Sequence, residues 1–273
     1  EMCIRDRVTS AMAACDLGKQ YIAESGIERP LAYVIGHDSF KQLVADAGFE
    51  LTETADDNPH VVFHGHSPEN NWARLSEGAL AIQRGAHYFA SNLDTTLPSE
   101  RGFMVGNGSM VAAAPPARGV APQSAGKPGP AMFEVAARRI GATKPLAVGD
   151  RLDTDIAGGN AAGMDTLCTV TGVSTHTDII DAPSSHRPTF IAGNLRDHLP
   201  GWSASVDEGT NRIRVTAGEL GDVEVMAAEA LAVAAPLAWK LIDDPEIPQI
   251  TRAENIDFVG ADAQAMEALG GWK

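Results

Sequence analysis

The sequence predicts an α/β fold, and three observations carry that reading. Short apolar strands alternate with amphipathic helices along most of the chain, glycines close the helices, and the apolar run Leu146-Ala147-Val148-Gly149 opens directly into an acidic loop. Repeated strand and helix alternation gives a parallel or mixed sheet with helices on its faces, because a parallel crossover returns the chain over the sheet.

Residues 1–7 lead into no regular pattern and are expected to be a non-native leader. From Ser10, the spacing of Ala11, Ala14, Cys15, Leu17, Gly18 and Ile22 predicts a helix capped by Ser10 and closed by Gly26. A strand follows over residues 31–35, then a helix over 40–47 stopped by Gly48. Residues 61–63 and 87–90 read as strands around a helix over 72–84. The stretch 102–127 is rich in Gly, Pro, Ala and Ser and reads as a crossing between subdomains, with the boundary near 115–125. Residues 130–140 predict a helix, with proline at the first turn, Met132, Ala136 and Ile140 four apart, and Gly141 at its end. Strand, loop, helix and strand follow over 146–170. Residues 212–216 suggest a strand and 223–241 a helix, and the tail past Pro245 has no sustained pattern.

At 273 residues and 44% hydrophobic, the chain is long enough for one large domain or two smaller ones, each with a core. Its formal charge of -15 repels phosphodiester backbones and anionic membranes, so neither nucleic acid nor a membrane surface is an expected partner. The longest apolar stretch, residues 225–239, is interrupted by Glu229 and Pro236 and falls short of the roughly 20 residues of a bilayer span. Cys3, Cys15 and Cys168 form no CxxC pair, which argues against disulfides and structural zinc and places the protein in a reducing cytoplasm.

The most informative segment is the loop with Asp150, Asp153 and Asp155. Carboxylates at the carboxyl end of a strand in an α/β sheet stand where ligands bind. Their mutual repulsion is relieved by an oxygen-preferring cation such as Mg2+, or else Asp153 and Asp155 simply cap the helix that follows. Gly126-Lys127-Pro128 lies 23 residues before Asp150, a spacing at which a βαβ arrangement brings the lysine to the same sheet edge. A lone lysine is ordinarily a solvated surface group, and only the acidic loop makes this one informative.

Together, Gly126-Lys127-Pro128 and the loop from Val148 to Ile156 resemble the third and fourth motifs of haloacid dehalogenase superfamily phosphatases, in the class IIA, NagD-like branch. Thr9 to Ala13, Tyr33 to Gly36, Asn71-Trp72, Ser91 to Asp94, Gly106 to Gly108, Gly172 to Ser174 and Arg187 to Thr189 follow the family's order. The resemblance implies a Rossmann-like core with an inserted α/β cap: residues 8–30 a remnant of the core and cap entry, 31–120 the cap, 121–202 the C-terminal part of the core, and 203–273 an extension. It further implies a Mg2+-dependent phosphatase of a small phosphorylated metabolite, working through an aspartyl-phosphate. Lys127 matches the catalytic, phosphate-orienting lysine, Asp150 and Asp155 match the metal-binding carboxylates, and Asn92 and Asp94 fall in the substrate pocket or cap hinge. For Asn92 and Asp94, a polar turn is the competing reading. A homodimer through the cap is compatible with the branch.

The family's first motif, an apolar strand running into Asp-x-Asp-Gly, is expected upstream of Thr9, together with the second motif; these residues contain neither. Asp153-Thr154-Asp155 is an Asp-x-Asp, but it follows the lysine and has no glycine after it. The chain as written is therefore expected to be truncated and inactive, with an exposed sheet edge, and the alternative is a noncatalytic phospholigand-binding protein with the same fold. A P-loop is excluded because Pro128 follows Lys127, and Val111 takes the place of the third glycine of a dinucleotide fingerprint. His64-Gly65-His66 puts two imidazoles on one side of a strand, a metal pair in principle and more often a strand-end pair.

Overall fold

The structure, a computed structural model, describes residues 9–114 and 121–272. The chain divides between Thr143 and Lys144 into two compact units, each with its own core.

In the first unit, α1 (Ser10–Ser25) is followed by β1 (Leu31–Ile35), α2 (Asp38–Asp46), β2 (Glu50–Thr52), β3 (Val61–His64), α3 (Trp72–Gln83) and β4 (His87–Ala90). Then come β5 (Thr96–Ser99), β6 (Gly102–Val105), α4 (Asn107–Ala113), β7 (Gln123–Ser124) and α5 (Ala131–Ile140). Five strands form a sheet in the order β2-β1-β3-β4-β7, every described pair parallel. The period of two along each strand sorts the core onto two faces. Ala32, Val34, Val61, Phe63 and Phe89 pack with Ala13, Ala14 and Val135 on one side, and Tyr33, Ile35, Val62 and Tyr88 pack with Ala81, Ile82 and Val111 on the other.

Thr9, not Ser10, caps α1, its hydroxyl accepting the Met12 N–H at 3.3 Å. The helix ends as expected at Gly26, whose left-handed φ of 67° an L-residue with a Cβ adopts at a cost. The expected crossing at 102–127 is structured wherever it is described: β6 pairs with β5, α4 follows, and β7 joins β4, with residues 115–120 outside the described chain. The division also falls later than the 120/121 boundary, because β7 extends the first sheet and α5 packs on α1. The suspected leader at 1–7 lies outside the described residues.

The second unit contains β8 (Leu146–Gly149), α6 (Ala157–Ala161), β9 (Asp165–Thr169), α7 (His176–Ile180) and β10 (Phe190–Ala192), followed by β11 (Ser203–Val206), β12 (Arg212–Thr216), α8 (Val223–Ile242), β13 (Asp257–Gly260) and α9 (Ala263–Gly270). One parallel sheet runs β10-β9-β8, and a second, β11-β12-β13, joins an antiparallel to a parallel pair. Residues 203–272, expected as a C-terminal extension, pack with the preceding strands. A single core joins Ile156, Ile179 and Ile191 to Ile213, Leu231 and Ala265, because α8 is apolar around most of its circumference and packs against β10, β11 and β12 at once. That helix is long and apolar enough to cross a membrane by length and composition, but ten of its residues are buried, among them Met226, Leu231 and Ala234 in this core. The patternless tail holds β13 and α9, too short for periodicity to reveal.

Candidate functional site

Asp150 leaves the carboxyl end of β8, and residues Leu152–Ile156 form a single π-turn, closed by the Ile156 N–H on the Arg151 carbonyl at 3.1 Å. Such turns recur at functional sites because they redirect one side chain out of the helical ladder. The segment after β9 holds Asp150 by two hydrogen bonds and the loop beyond it by a third. The Val173 N–H donates to its Oδ2 at 3.1 Å, the Ser174 N–H to its carbonyl at 3.1 Å, and the Ser174 hydroxyl accepts the Leu152 N–H at 3.1 Å. Gly172 is required by close approach: a Cβ there would stand 1.7 Å from Asp150 Oδ2. A Cβ on Gly149 would likewise stand 2.4 Å from the Asp155 carboxyl carbon. Asp150 and Asp155 are both half-buried, each packed closely against a glycine, and both carry charge toward Cys168. Cys168 pairs with Gly149 across the ladder, and burial first, then the charges of Asp150 and Asp155, push its thiol up to about 12.

The third carboxylate goes elsewhere. Asp153 is exposed and forms a forked pair with Arg151, Nε to Oδ1 at 2.8 Å and Nη2 to Oδ2 at 3.3 Å, which holds its carboxyl below the usual range. The expected cluster of three is therefore a pair, and no group of three or more metal-binding side chains occurs among the described residues. Neither the π-turn nor α6 has a side-chain cap, although Asp153 and Asp155 lie in the first turn, where negative charge complements the helix N-terminus. Two carboxylates in a glycine cradle suit Mg2+, which takes one or two protein carboxylates and fills its octahedron with phosphate oxygen and water.

The remaining predicted residues lie in the first unit. Parallel β4 and β7 end side by side, so Ser91-Asn92 and Gly126-Lys127 emerge together, and a Cβ on Gly126 would meet the Asn92 Cβ at 3.0 Å. Asn92 Oδ1 accepts the Asp94 N–H at 3.3 Å, a local turn, and the Asn92 carbonyl accepts the Asn107 amide at 2.8 Å. The Asp94 carbonyl takes the Gly108 N–H at 2.8 Å, so the turn rests on the start of α4. Lys127 is exposed. β7, which precedes Lys127, belongs to the five-stranded sheet, and β8, which precedes Asp150, to the sheet of β9 and β10.

The histidine pair separates too. His66 is exposed, whereas His64 is fully buried with Nδ1 2.8 Å from the Tyr88 hydroxyl, because β3 ends at His64 and the alternation stops. Burial lowers the imidazole to about 4. Its ordinary value is about 6.5, so the unfolded chain binds more protons between the two, and the stability that the neutral ring confers is complete above pH 6.5 and lost as pH falls through 4. About 3 kcal/mol is at stake. Urea midpoints of the first unit are expected to drop over that window, and His64→Gln is expected to flatten the drop; an unchanged profile in the variant would remove His64 as the cause.

The clamp by Gly172-Val173-Ser174 is the functional feature that residue types alone do not disclose; the motif is visible, its target is not. The profile of the HAD-hydrolase-like family matches residues 124–198. The chain is 39% identical over 231 residues to the D-glycerol 3-phosphate phosphatase of Mycobacterium tuberculosis, covering 80% of this chain and 64% of that protein, so it spans less than two thirds of that relative. Among solved structures, glycerol phosphate phosphatase from Mycobacterium tuberculosis in complex with magnesium matches with a TM-score of 0.73 at 35% identity, over 97% of this chain and 78% of the other. NagD from E. coli K-12 matches with a TM-score of 0.57 at 34% identity, over 67% of this chain and 68% of the other.

Proposed function

The chain belongs to the haloacid dehalogenase superfamily of hydrolases, in its class IIA, NagD-like branch, and on that premise we propose that the whole protein is a Mg2+-dependent phosphatase of a small phosphate monoester. The observation that supports this most is the Asp150 and Asp155 pair, held at a strand end by the Gly172 to Ser174 clamp. Mg2+, when bound, would draw charge off the phosphate and bridge it to the enzyme. Asp150 would ligate it, and Asp155 would ligate through water or fix the shell. Lys127 would place its ammonium on the phosphoryl oxygens, where charge accumulates during transfer. Asn92 and Asp94, beside it on the β4 turn, would contact the rest of the substrate.

The nucleophilic aspartate and the general acid/base two residues beyond it have no candidate upstream of Lys127 in these 273 residues. Among the described residues β8 ends its sheet, and its outer edge suits an additional parallel strand. β9 is its ladder partner among the described residues, and Leu146 and Val148 are 48% and 44% exposed. Glycerol phosphate is the first substrate to test, given the relatives with that activity.

Phosphate release from glycerol 3-phosphate and 4-nitrophenyl phosphate should stay at background for the 273-residue chain with Mg2+. It should appear when an N-terminal segment with an apolar strand and Asp-x-Asp-Gly is added. Turnover by the chain alone would sink the assignment of the missing nucleophile. Tight binding of glycerol 3-phosphate by the extended protein without hydrolysis would favour the phospholigand-binding reading instead.

A further inference from the structure

The second unit contains a cavity of about 470 Å³ between β10, the loop at residues 198–202 and α8. Its volume lies in the range of small-molecule sites, roughly 300 to 1,000 Å³. Its walls are Leu199, Val233, Pro236, Trp202 and Trp239. Both indole N–H groups are already spent on backbone, Trp202 on the Glu219 carbonyl at 3.1 Å and Trp239 on the Ile179 carbonyl at 3.1 Å, so the tryptophans offer the cavity carbon surface.

Thr189, His198 and Glu229 break this apolar lining, and Glu229 is the acid among them. Glu229 sits on α8 among apolar neighbours and is only 8% exposed. Its Oε1 accepts the Leu199 N–H at 2.9 Å and faces His198 Nδ1 at 2.9 Å, while Oε2 takes no hydrogen bond from any described residue. Oε2 is not sealed off inside the protein, so a ligand in the cavity can reach it, and a carboxylate in mostly apolar surroundings favours a cation or a strong donor. Both partners converge on Oε1, which leaves Oε2 as the anionic acceptor of the cavity.

We propose that this cavity is a binding site for a small organic cation, an amine with an apolar or aromatic body, whose ammonium pairs with Glu229 Oε2 while its body lies along Val233, Pro236 and the two tryptophans. An ammonium supplies the charge the carboxylate lacks, and tryptophan faces favour a cation near them. Neither Lys127 nor the Asp150 pair lines the cavity, so the site is independent of the phosphatase chemistry.

Phenethylamine, its neutral analogue 2-phenylethanol and its anionic analogue phenylacetate separate the contributions. Titration of the 273-residue chain, read by tryptophan fluorescence and by thermal shift, should show the amine binding at least tenfold more tightly than the alcohol, and the acid more weakly than either. Glu229→Gln, which keeps an acceptor for the Leu199 N–H, should remove the advantage of the amine. Val233→Phe, which fills the cavity and leaves Glu229 in place, should weaken amine and alcohol alike. Equal affinity for the three probes, no binding of the amine, or amine binding unchanged in both variants would each overturn the proposal.

Discussion

Asp150→Ala is expected to abolish the stabilisation of this chain by Mg2+ and, in the extended enzyme, to lower phosphate release by at least about 100-fold. The reasoning runs from the loop upward. Asp150 is positioned by the Val173 and Ser174 amides, so its carboxylate is oriented before any cation arrives, and removing it leaves Asp155 as the remaining carboxylate of the pair. A ligand at 100 times its Kd raises stability by about 2.7 kcal/mol, a rise readily seen in thermal unfolding. Without metal, Asp150→Asn is expected to be about as stable as the parent, because its amide oxygen can still accept the Val173 N–H. Gly172→Val, which keeps both carboxylates but drives a side chain into the space of Asp150 Oδ2, is expected to weaken the Mg2+ response as well. A Mg2+-induced shift that survives in Asp150→Ala would show that the cation binds elsewhere.

Phe63→Ala is expected to destabilise the first unit by about 3 to 5 kcal/mol, the usual range for deleting a buried aromatic side chain. Phe63 is fully buried at the centre of one sheet face. Its ring stacks on Phe89 at 5.5 Å and meets Phe49 and Phe40 edge-on at 5.2 Å and 6.2 Å. Such ring pairs add to the area each ring removes from water. Hydrogen exchange resolved by segment should speed up in β1, β3 and β4 while β12 and α8 keep their protection, since those elements belong to the second core. Equal loss of protection in both units would mean that the two cores unfold as one.

Much of the first unit is legible in its residues. The strands at residues 31–35 and 87–90 begin and end where local pattern places them, because fully buried parallel strands are short apolar runs bounded by turns. The helices of the same unit shift by one or two residues, as fraying ends do. β5, β6 and α4 escape such reading: their segment is rich in Gly, Pro and Ala, and their pairing is set by contacts with the turn at Asp94 rather than by periodicity.

The candidate site divides in the same way. The sequence by itself determined the residue types at the end of β8, the order of the motifs and the placement of Lys127 after a strand, since these follow from local apolar pattern and from chemistry that tolerates few alternatives. Only the tertiary structure decided that Asp150 is locked by Gly172 to Ser174 and that residues 203–273 share a core with the sheet of β8, β9 and β10. The physical reason is range. Strand and helix propensity are settled by neighbours a few residues away, whereas the partner of a carboxylate depends on a chain segment more than twenty residues distant that packing brings to it.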